Sequence, residues 1–241
     1  MRWPFLRRSA WQRLAQLYAQ QAGLPWPGAL ATVFSRPLAG ENAPLFGQTI
    51  LALDFETSGL NPDQDNIVSI GFVALQAGII RLASAGHMLV QSAVPEQGDA
   101  IRLHHILPQM QRQGLPLAEA LESVWQALDG QVVLGHGTVV EQAFIARFFR
   151  LAGLPAPALI WLDTLNIEKS LPRPWGMEQE PRGYWQLAEV RRRYGLPDYP
   201  AHHALVDAVA CAELLLVQID RLYRHTAASA TVGELYQYSQ P

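Results

Sequence analysis

The stretch Leu51-Ala52-Leu53-Asp54-Phe55-Glu56-Thr57-Ser58-Gly59-Leu60 is an apolar run that leads into two carboxylates separated by one residue. Side chains two residues apart on a strand point to the same face, so Asp54 and Glu56 share a face. Two like charges so close repel each other unless a proton or a cation compensates them. The stretch therefore predicts a strand that carries a divalent metal site.

The composition of the chain bounds its class. Of the 241 residues, 49% are apolar, which is enough for a well-developed core. No apolar run approaches the roughly 20 residues that cross a bilayer. The single cysteine, Cys211, cannot form an internal disulfide and indicates a reducing compartment, so we expect a cytoplasmic protein. The net charge of −3 gives no overall basic field, which argues only weakly against a nuclease.

Periodicity and turn residues divide the chain into three parts. Residues 1–46 are expected to form an N-terminal helical extension, with a helix over residues 9–22 followed by a Pro/Gly-rich linker. Residues 47–223 are expected to form the main domain, and residues 224–241 a C-terminal tail that is flexible from residue 226. The N-terminal helix could dock on the core, mediate homodimerisation or bind a protein partner, and docking is the simplest expectation.

The main domain is predicted to begin with strands and to continue with alternating helices and strands, which indicates an α/β domain with a mixed sheet. The predicted strands are 49–56, 66–75, a third after the turn at 76–78, a further edge strand at 86–92, and short buried strands at 132–134 and 159–162. The predicted helices are 117–128, 139–151, 184–194 and 204–223. Residues 171–183 are rich in Pro, Gly and charge and predict a surface loop.

Three further places combine polar residues with predicted element ends, and each has an ordinary structural explanation. His202 precedes and Asp207 follows the start of an apolar helix, where Asp207 could simply complement the helix dipole. Glu141 lies where a buried strand enters a helix, and with Thr138 it has the spacing of a capping box. Asp163 follows another buried strand and could be a helix cap.

Taken together, these motifs resemble the DEDDh (DnaQ-like) family of 3′-to-5′ exonucleases, which belong to the ribonuclease H-like superfamily. The resemblance covers roughly residues 47–223 and rests on D-x-E-T-x-G-L at Asp54 and H-x-A-L-x-D-A at His202. One motif departs from the family pattern: Glu141, five residues after His136, stands where the family usually has an aspartate. A glutamate keeps the charge but adds a methylene.

The resemblance implies a ribonuclease H-like fold, α/β, with a mixed central sheet flanked by helices. It also implies metal-dependent hydrolysis of DNA or RNA phosphodiester bonds from the 3′ end, releasing nucleoside 5′-monophosphates. Two divalent cations, Mg²⁺ or Mn²⁺, would be the cofactors. By this analogy Asp54 bridges both metals, Glu56 and Asp207 hold the metal that activates water, and Glu141 supports the second.

The resemblance further assigns the remaining site residues. His202 would be the general base, and His203, one residue short of the motif spacing to Asp207, is the competing candidate. The backbone around Thr57 would lie against the terminal sugar of a single-stranded 3′ end, with Leu60 near the last base. The ordinary alternatives are a strand-end threonine and a packing leucine.

Arginines on two predicted helices offer further substrate contacts. Arg147, Arg150 and the run Arg191–Arg193 could neutralise phosphates, or they could form solvated helix faces.

Two rival functions follow from the same residues. The Glu141 change could leave a catalytically weakened nuclease fold that acts as a scaffold or binding module. Alternatively, the chain could be a phosphodiesterase for small dinucleotides. No motif distinguishes DNA from RNA. Because no polymerase domain is recognisable in this sequence, we expect a role in repair or nucleic-acid turnover rather than proofreading.

Overall fold

A computed structural model describes residues 8–92, 106–172, 180–181, 183–224 and 226–241. Its centre is a five-stranded sheet in the order β3-β2-β1-β4-β5. The strands are β1 (Thr49–Thr57), β2 (Ile67–Gln76), β3 (Ile79–Leu89), β4 (Val132–Gly135) and β5 (Ile160–Asp163). The pairs β1–β2 and β2–β3 are antiparallel, whereas β1–β4 and β4–β5 are parallel. The predicted mixed sheet of an α/β domain is confirmed.

Helices flank this sheet and connect its strands. They are α1 (Ala10–Gln21), α2 (Gly28–Ser35), α3 (Pro108–Gln111), α4 (Leu117–Ala127), α5 (Val139–Leu151), α6 (Thr164–Ser170), α7 (Leu187–Arg193), α8 (Ala204–Tyr223) and α9 (Val232–Tyr238). Helix α8, with 20 residues, lies along β1 and β2. This packing brings the beginning of α8 to the strand that carries the paired carboxylates.

The β3 strand differs from the prediction. The expected third strand and the expected edge strand at 86–92 are one continuous strand that ends at Leu89. Gly86 makes this continuity possible, because the chain passes close to the Phe72 ring at this point. A Cβ at Gly86 would lie 2.3 Å from the Phe72 ring. The pairing of β2 with β3 shifts its register between Phe72 and Ala74, next to this close approach.

The N-terminal extension packs against the core, as expected. Helix α1 begins with the predicted capping box at Ser9 and buries Trp11, Leu14 and Tyr18. The predicted linker, however, contains helix α2. A side chain of another helix binds the first turn of α2: the backbone N–H of Ala29 donates to Glu122 Oε1 of α4 at 2.9 Å.

The prediction of a flexible tail from residue 226 is wrong. Thr231 and Glu234 form a capping box at the start of α9. Val232 and Leu235 are fully buried, and Thr231 forms a β-bridge with Pro44. Apolar burial therefore holds this segment against the core.

Two other expectations concern the region before α8. The predicted surface loop at 171–183 lies partly outside the described residues, since 173–179 and 182 are not described. The predicted helix at 184–194 is shorter and begins at Leu187, after a turn. Within the described residues, no helix combines the length and the apolar character needed to span a membrane.

Candidate active site

Three carboxylates meet where β1 ends and α8 begins. Asp54 and Glu56 alternate along β1, so both reach the same face of the sheet, and Asp207 lies in the first turn of α8. One oxygen from each of the three lies within 4.8 Å of the others. This spacing lets a single cation contact all three side chains.

A glycine in β2 makes the approach of α8 possible. Gly71 pairs with Asp54 across the sheet. A Cβ at Gly71 would lie 2.0 Å from the backbone nitrogen of Leu205 and 2.2 Å from the carbonyl carbon of Ala204. Since only glycine fits, Gly71 determines how closely the first turn of α8, with Asp207, approaches the sheet.

The carboxylates strongly perturb one another. Burial raises the pKa of Asp54 well above its ordinary value, and the charges of Glu141, Asp207 and Glu56 raise it further. Burial, together with the charge of Asp207, raises the pKa of Glu56 to about 7. The pKa of Asp207 is also raised by burial, against the opposing effect of the backbone N–H groups of His203 and His202. The charges of His202 and His203 also lower the pKa of Asp207, but burial outweighs them and the pKa of all three carboxyl groups is raised.

Glu141 lies beside this cluster, in the first turn of α5, and is 6% exposed. Burial raises its pKa to about 8, and the charges of Asp163 and Glu56 contribute. Among the described residues, none is a hydrogen-bond partner for its buried Oε2 atom. The predicted capping box with Thr138 is not formed, because the Thr138 side chain makes no cap bond to the helix backbone.

Asp163, at the end of β5, holds the turn that precedes Glu141. Its carboxylate accepts from the backbone N–H of Gly137 at 2.8 Å and of Thr138 at 2.9 Å. It also accepts from the N–H of Leu165 at 2.9 Å, which confirms the predicted helix cap. Asp163 therefore joins β5, the turn before α5 and the start of α6.

His136 has a structural place in this turn. Its Nε2 lies 2.8 Å from the carbonyl oxygen of Trp185, and its Nδ1 lies 2.9 Å from Thr164 Oγ1. A carbonyl only accepts, so Nε2 carries the proton. Burial lowers the pKa of His136, which keeps the ring neutral.

The two histidines before α8 differ in their surroundings. His202 is exposed and has a φ of 64°, in the left-handed region. The His203 ring stacks against His87 of β3, with ring centroids 4.4 Å apart, and the His203 N–H donates to Asp207 Oδ2 at 3.1 Å. Both side chains are exposed, but His203 has a ring contact with His87, whereas His202 has the motif spacing to Asp207.

Thr57 and Leu60 follow the paired carboxylates closely along the chain. Thr57 ends β1, immediately after a register shift, and Leu60 is 78% exposed in the turn that follows. Two arginines of α5 fasten this turn. Arg147 donates to the Asp65 carbonyl at 2.8 Å, and Arg150 forms an ion pair of 2.6 Å with Asp63.

The arginine run on α7 is largely turned inward, which corrects the expectation of phosphate contacts or a solvated face. Arg191 is 3% exposed and bonds to α8 and to the loop that precedes it. Arg193 donates to the carbonyl of Tyr184 and pairs with Glu168. Only Arg192 is exposed, at 59%.

Two residues that shape this site, Gly71 and His87, were not predicted from the sequence, and a third, Asp163, was predicted only in part. Gly71 carries a usable signal, because a glycine inside a strand often marks a close backbone approach. His87 carries none, since its importance depends on β3 lying beside the loop before α8. Asp163 was expected to cap one helix, but its contacts to the turn before α5 depend on the pairing of β4 with β5.

The sheet order and the carboxylates at the end of β1 define a ribonuclease H-like α/β protein, the fold class that was expected. The chain belongs to the RNase_T exonuclease family, whose model matches residues 51–215. Within it, the chain has the DnaQ-like DEDDh character that the motifs predicted.

Relatives and a solved structure agree with this assignment. PolC-type DNA polymerase III of Thermotoga maritima is 29% identical over 172 residues, which are 70% of this chain but only 12% of that polymerase. DNA polymerase III subunit epsilon of Treponema pallidum is 25% identical over 196 residues, covering 78% of this chain and 87% of that subunit. The fold matches E. coli Exonuclease I, crystallised with a dT13 oligonucleotide, with a TM-score of 0.59 and 17% identity over 74% of this chain and 43% of that one.

Proposed function

We propose that this protein is a metal-dependent 3′-to-5′ exonuclease that hydrolyses phosphodiester bonds and releases nucleoside 5′-monophosphates. The observation that carries the proposal is the cluster of Asp54, Glu56 and Asp207, whose oxygens lie within 4.8 Å of one another. Two-metal phosphodiester hydrolysis uses such a cluster to hold cations against a phosphate. Membership of the exonuclease family supports the same reaction.

The donor set fits hard divalent cations. Carboxylate oxygens are the ligands that Mg²⁺ and Mn²⁺ prefer. A bound cation would give the Oε2 atom of Glu141 a partner, which it lacks among the described residues. It would also offset the repulsion that helps to raise the pKa values of Asp54 and Glu56. We assign Asp54, Glu56, Asp207 and Glu141 as the metal ligands. When bound, two cations would activate a water and stabilise the leaving 3′ oxygen.

His202 is the proposed general base. Its side chain is exposed beside Asp207, where it can accept a proton from an attacking water. The competing candidate, His203, is less suited because its ring packs against the tilted ring of His87. The neutral imidazole of His202 would accept the proton and carry it away from the phosphate.

Thr57 and Leu60 are the proposed contacts for the 3′-terminal nucleotide. The turn with Leu60 is fastened to α5 through Arg147 and Arg150, which limits the movement of this exposed leucine. An apolar side chain against a base tolerates any sequence. We therefore expect degradation of single-stranded ends with little sequence preference.

We propose DNA as the principal substrate, because two of the relatives are subunits or parts of DNA polymerases. The chain spans about an eighth of the PolC-type polymerase it matches, so this substrate is a proposal for the chain itself. The role in repair or nucleic-acid turnover stays a prediction that these relatives do not test.

The test is degradation of 5′-labelled single strands of DNA and of RNA, with Mg²⁺, Mn²⁺ or a chelator. We expect a metal-dependent ladder on DNA that Asp54→Ala abolishes and that Asp129→Ala, an exposed surface carboxylate, leaves unchanged. A ladder on RNA alone would move the substrate to RNA. Cleavage of dinucleotides but not of long strands would favour the dinucleotide phosphodiesterase. No cleavage of any substrate would favour the scaffold.

A further inference from the structure

Arg191 is a buried cation that the proposed chemistry does not use. A buried guanidinium is unfavourable unless its charge is paired and its N–H groups are satisfied. Nη1 of Arg191 donates to the carbonyl of Ala210 at 2.7 Å, and Nη2 lies 2.8 Å from a carboxylate oxygen of Glu213. Both partners belong to α8, the helix that carries Asp207.

The same guanidinium holds the histidine loop, residues 194–203, which leads from α7 to α8. Nη2 of Arg191 donates to the carbonyl of Pro197 at 3.0 Å, and Cζ lies 4.6 Å from the ring centre of Tyr199. The Tyr199 hydroxyl in turn donates to Glu213 at 2.9 Å. A planar guanidinium with five N–H groups can make these contacts together, whereas an ammonium group cannot.

The histidine loop ends at a residue whose backbone needs support. The left-handed φ of His202, 64°, is uncommon for a non-glycine residue and persists where the surroundings fix it. After His202, the chain is anchored by the stacking of His203 on His87 and by the His203 N–H bond to Asp207. Before His202, the anchor is Arg191.

We propose that Arg191 is a positioning residue for His202, holding the histidine loop so that the imidazole of His202 faces the attacking water. The proposal rests on the proposed exonuclease function. It gives Arg191 no contact with substrate, since its guanidinium is buried among protein groups.

The test compares two matched lysine variants from the same helix. Arg191→Lys keeps the charge but loses the planar guanidinium with its five N–H groups. Arg192→Lys alters an exposed residue that pairs with Glu189 and lies 3.9 Å from Asp198 of the histidine loop, and a lysine keeps the charge of these exposed pairs. Because a small misplacement of a reacting group has a large effect on rate, we expect Arg191→Lys to lower kcat about 10²-fold. KM should stay within about twofold, since substrate contacts are unchanged. Arg192→Lys should match the wild type.

A double-variant comparison separates positioning from general stabilisation. If Arg191 acts through His202, then Arg191→Lys should lower kcat no further in a His202→Ala background. An equal loss in both backgrounds, or a wild-type kcat for Arg191→Lys, would overturn the proposal. If Arg191→Lys does not fold, Tyr199→Phe removes the hydroxyl contact to Glu213 and should show a smaller loss with the same dependence on His202.

Amide hydrogen exchange across the histidine loop gives a readout that needs no activity. We expect faster exchange in Arg191→Lys than in the wild type and in Arg192→Lys. Unchanged exchange would show that Arg191 does not hold the loop. If the wild type proves inactive on nucleic acid, the proposed function fails by itself, and with it the role for His202, while the exchange result still decides whether Arg191 anchors this loop.

Discussion

At the scale of single residues, the carboxylates at the end of β1 make the site sensitive to pH. A carboxyl group whose pKa is higher in the folded than in the unfolded state binds more protons when folded, so stability falls as pH rises. For Glu56 this loss of stability falls between pH 4.5, its ordinary pKa, and about pH 7. For Glu141 it falls between pH 4.5 and about pH 8. The raised pKa of Asp54 acts in the same direction.

Removing one charge should therefore stabilise the protein when cations are chelated. In chelator, we expect the Tm of the wild type to fall as the pH is raised from about 5 to about 8. The Tm of Asp54→Asn should fall less over the same range. Added Mn²⁺ should raise the Tm of the wild type at the higher pH and have little effect on Asp54→Asn. Differential scanning fluorimetry measures both effects, with the exposed Asp129→Asn as control. A lower Tm for Asp54→Asn in chelator at the higher pH would contradict the repulsion.

Glu141 allows charge and length to be tested separately. Glu141→Gln keeps the shape but removes the charge, and we expect a loss of activity of about 10- to 100-fold, the range for residues that support metal sites. Glu141→Asp keeps the charge and matches the usual length in the DEDDh motif, so we expect equal or higher activity. Initial rates over a Mn²⁺ titration measure both. A large loss in Glu141→Asp would mean that the longer side chain is required.

At the scale of elements, the spacing between β2 and α8 controls the cluster. Gly71→Ala places a Cβ about 2.0 Å from the Leu205 nitrogen, so α8 must shift and carry Asp207 away from Asp54. We expect a destabilisation of about 1–3 kcal/mol, typical of overpacking, with a marked loss of activity. Urea unfolding and exonuclease rates measure the two effects. Gly23→Ala is the control, because a Cβ at Gly23 meets nothing within 4 Å. Wild-type rates in Gly71→Ala would show that the close approach is unnecessary.

Elements with a strong local pattern could be predicted from the sequence, and those that depend on distant contacts could not. Helix α5 was predicted over residues 139–151, as observed, because its apolar spacing and the glycine after it are local. Helices α2 and α9 have eight and seven residues, too short to be stable alone, and depend on burial against the core. In the site, the alternation of Asp54 and Glu56 was readable in the same local way. The contacts of Gly71 were not, since they join β2 to α8, far along the chain. Those of Arg191 were not, since they depend on how α7 packs against the next helix.

At the scale of the whole molecule, the two ends of the described chain form one unit. The N–H of Leu45 donates to the carbonyl of Ala230 at 2.9 Å, and the N–H of Val232 donates to the carbonyl of Ala43 at 3.0 Å. The ring of Trp11 in α1 packs edge-on against Tyr236 in α9, with centroids 5.7 Å apart. Helix α9 also contacts β5 and α6. The extension and the last helix thus cover the β5 side of the sheet together.

This arrangement predicts that α9 contributes to stability without taking part in catalysis. Leu235 is fully buried, so Leu235→Ala should lower the free energy of unfolding by about 2–5 kcal/mol. Tyr238, 39% exposed on the same helix, provides the control, and Tyr238→Ala should have a small effect. Urea unfolding measures the difference, and kcat of the folded protein should stay unchanged because α1, α6 and β5, which α9 contacts, carry no carboxylate of the Asp54 cluster. Equal stability of the two variants would mean that α9 does not help to hold the fold together.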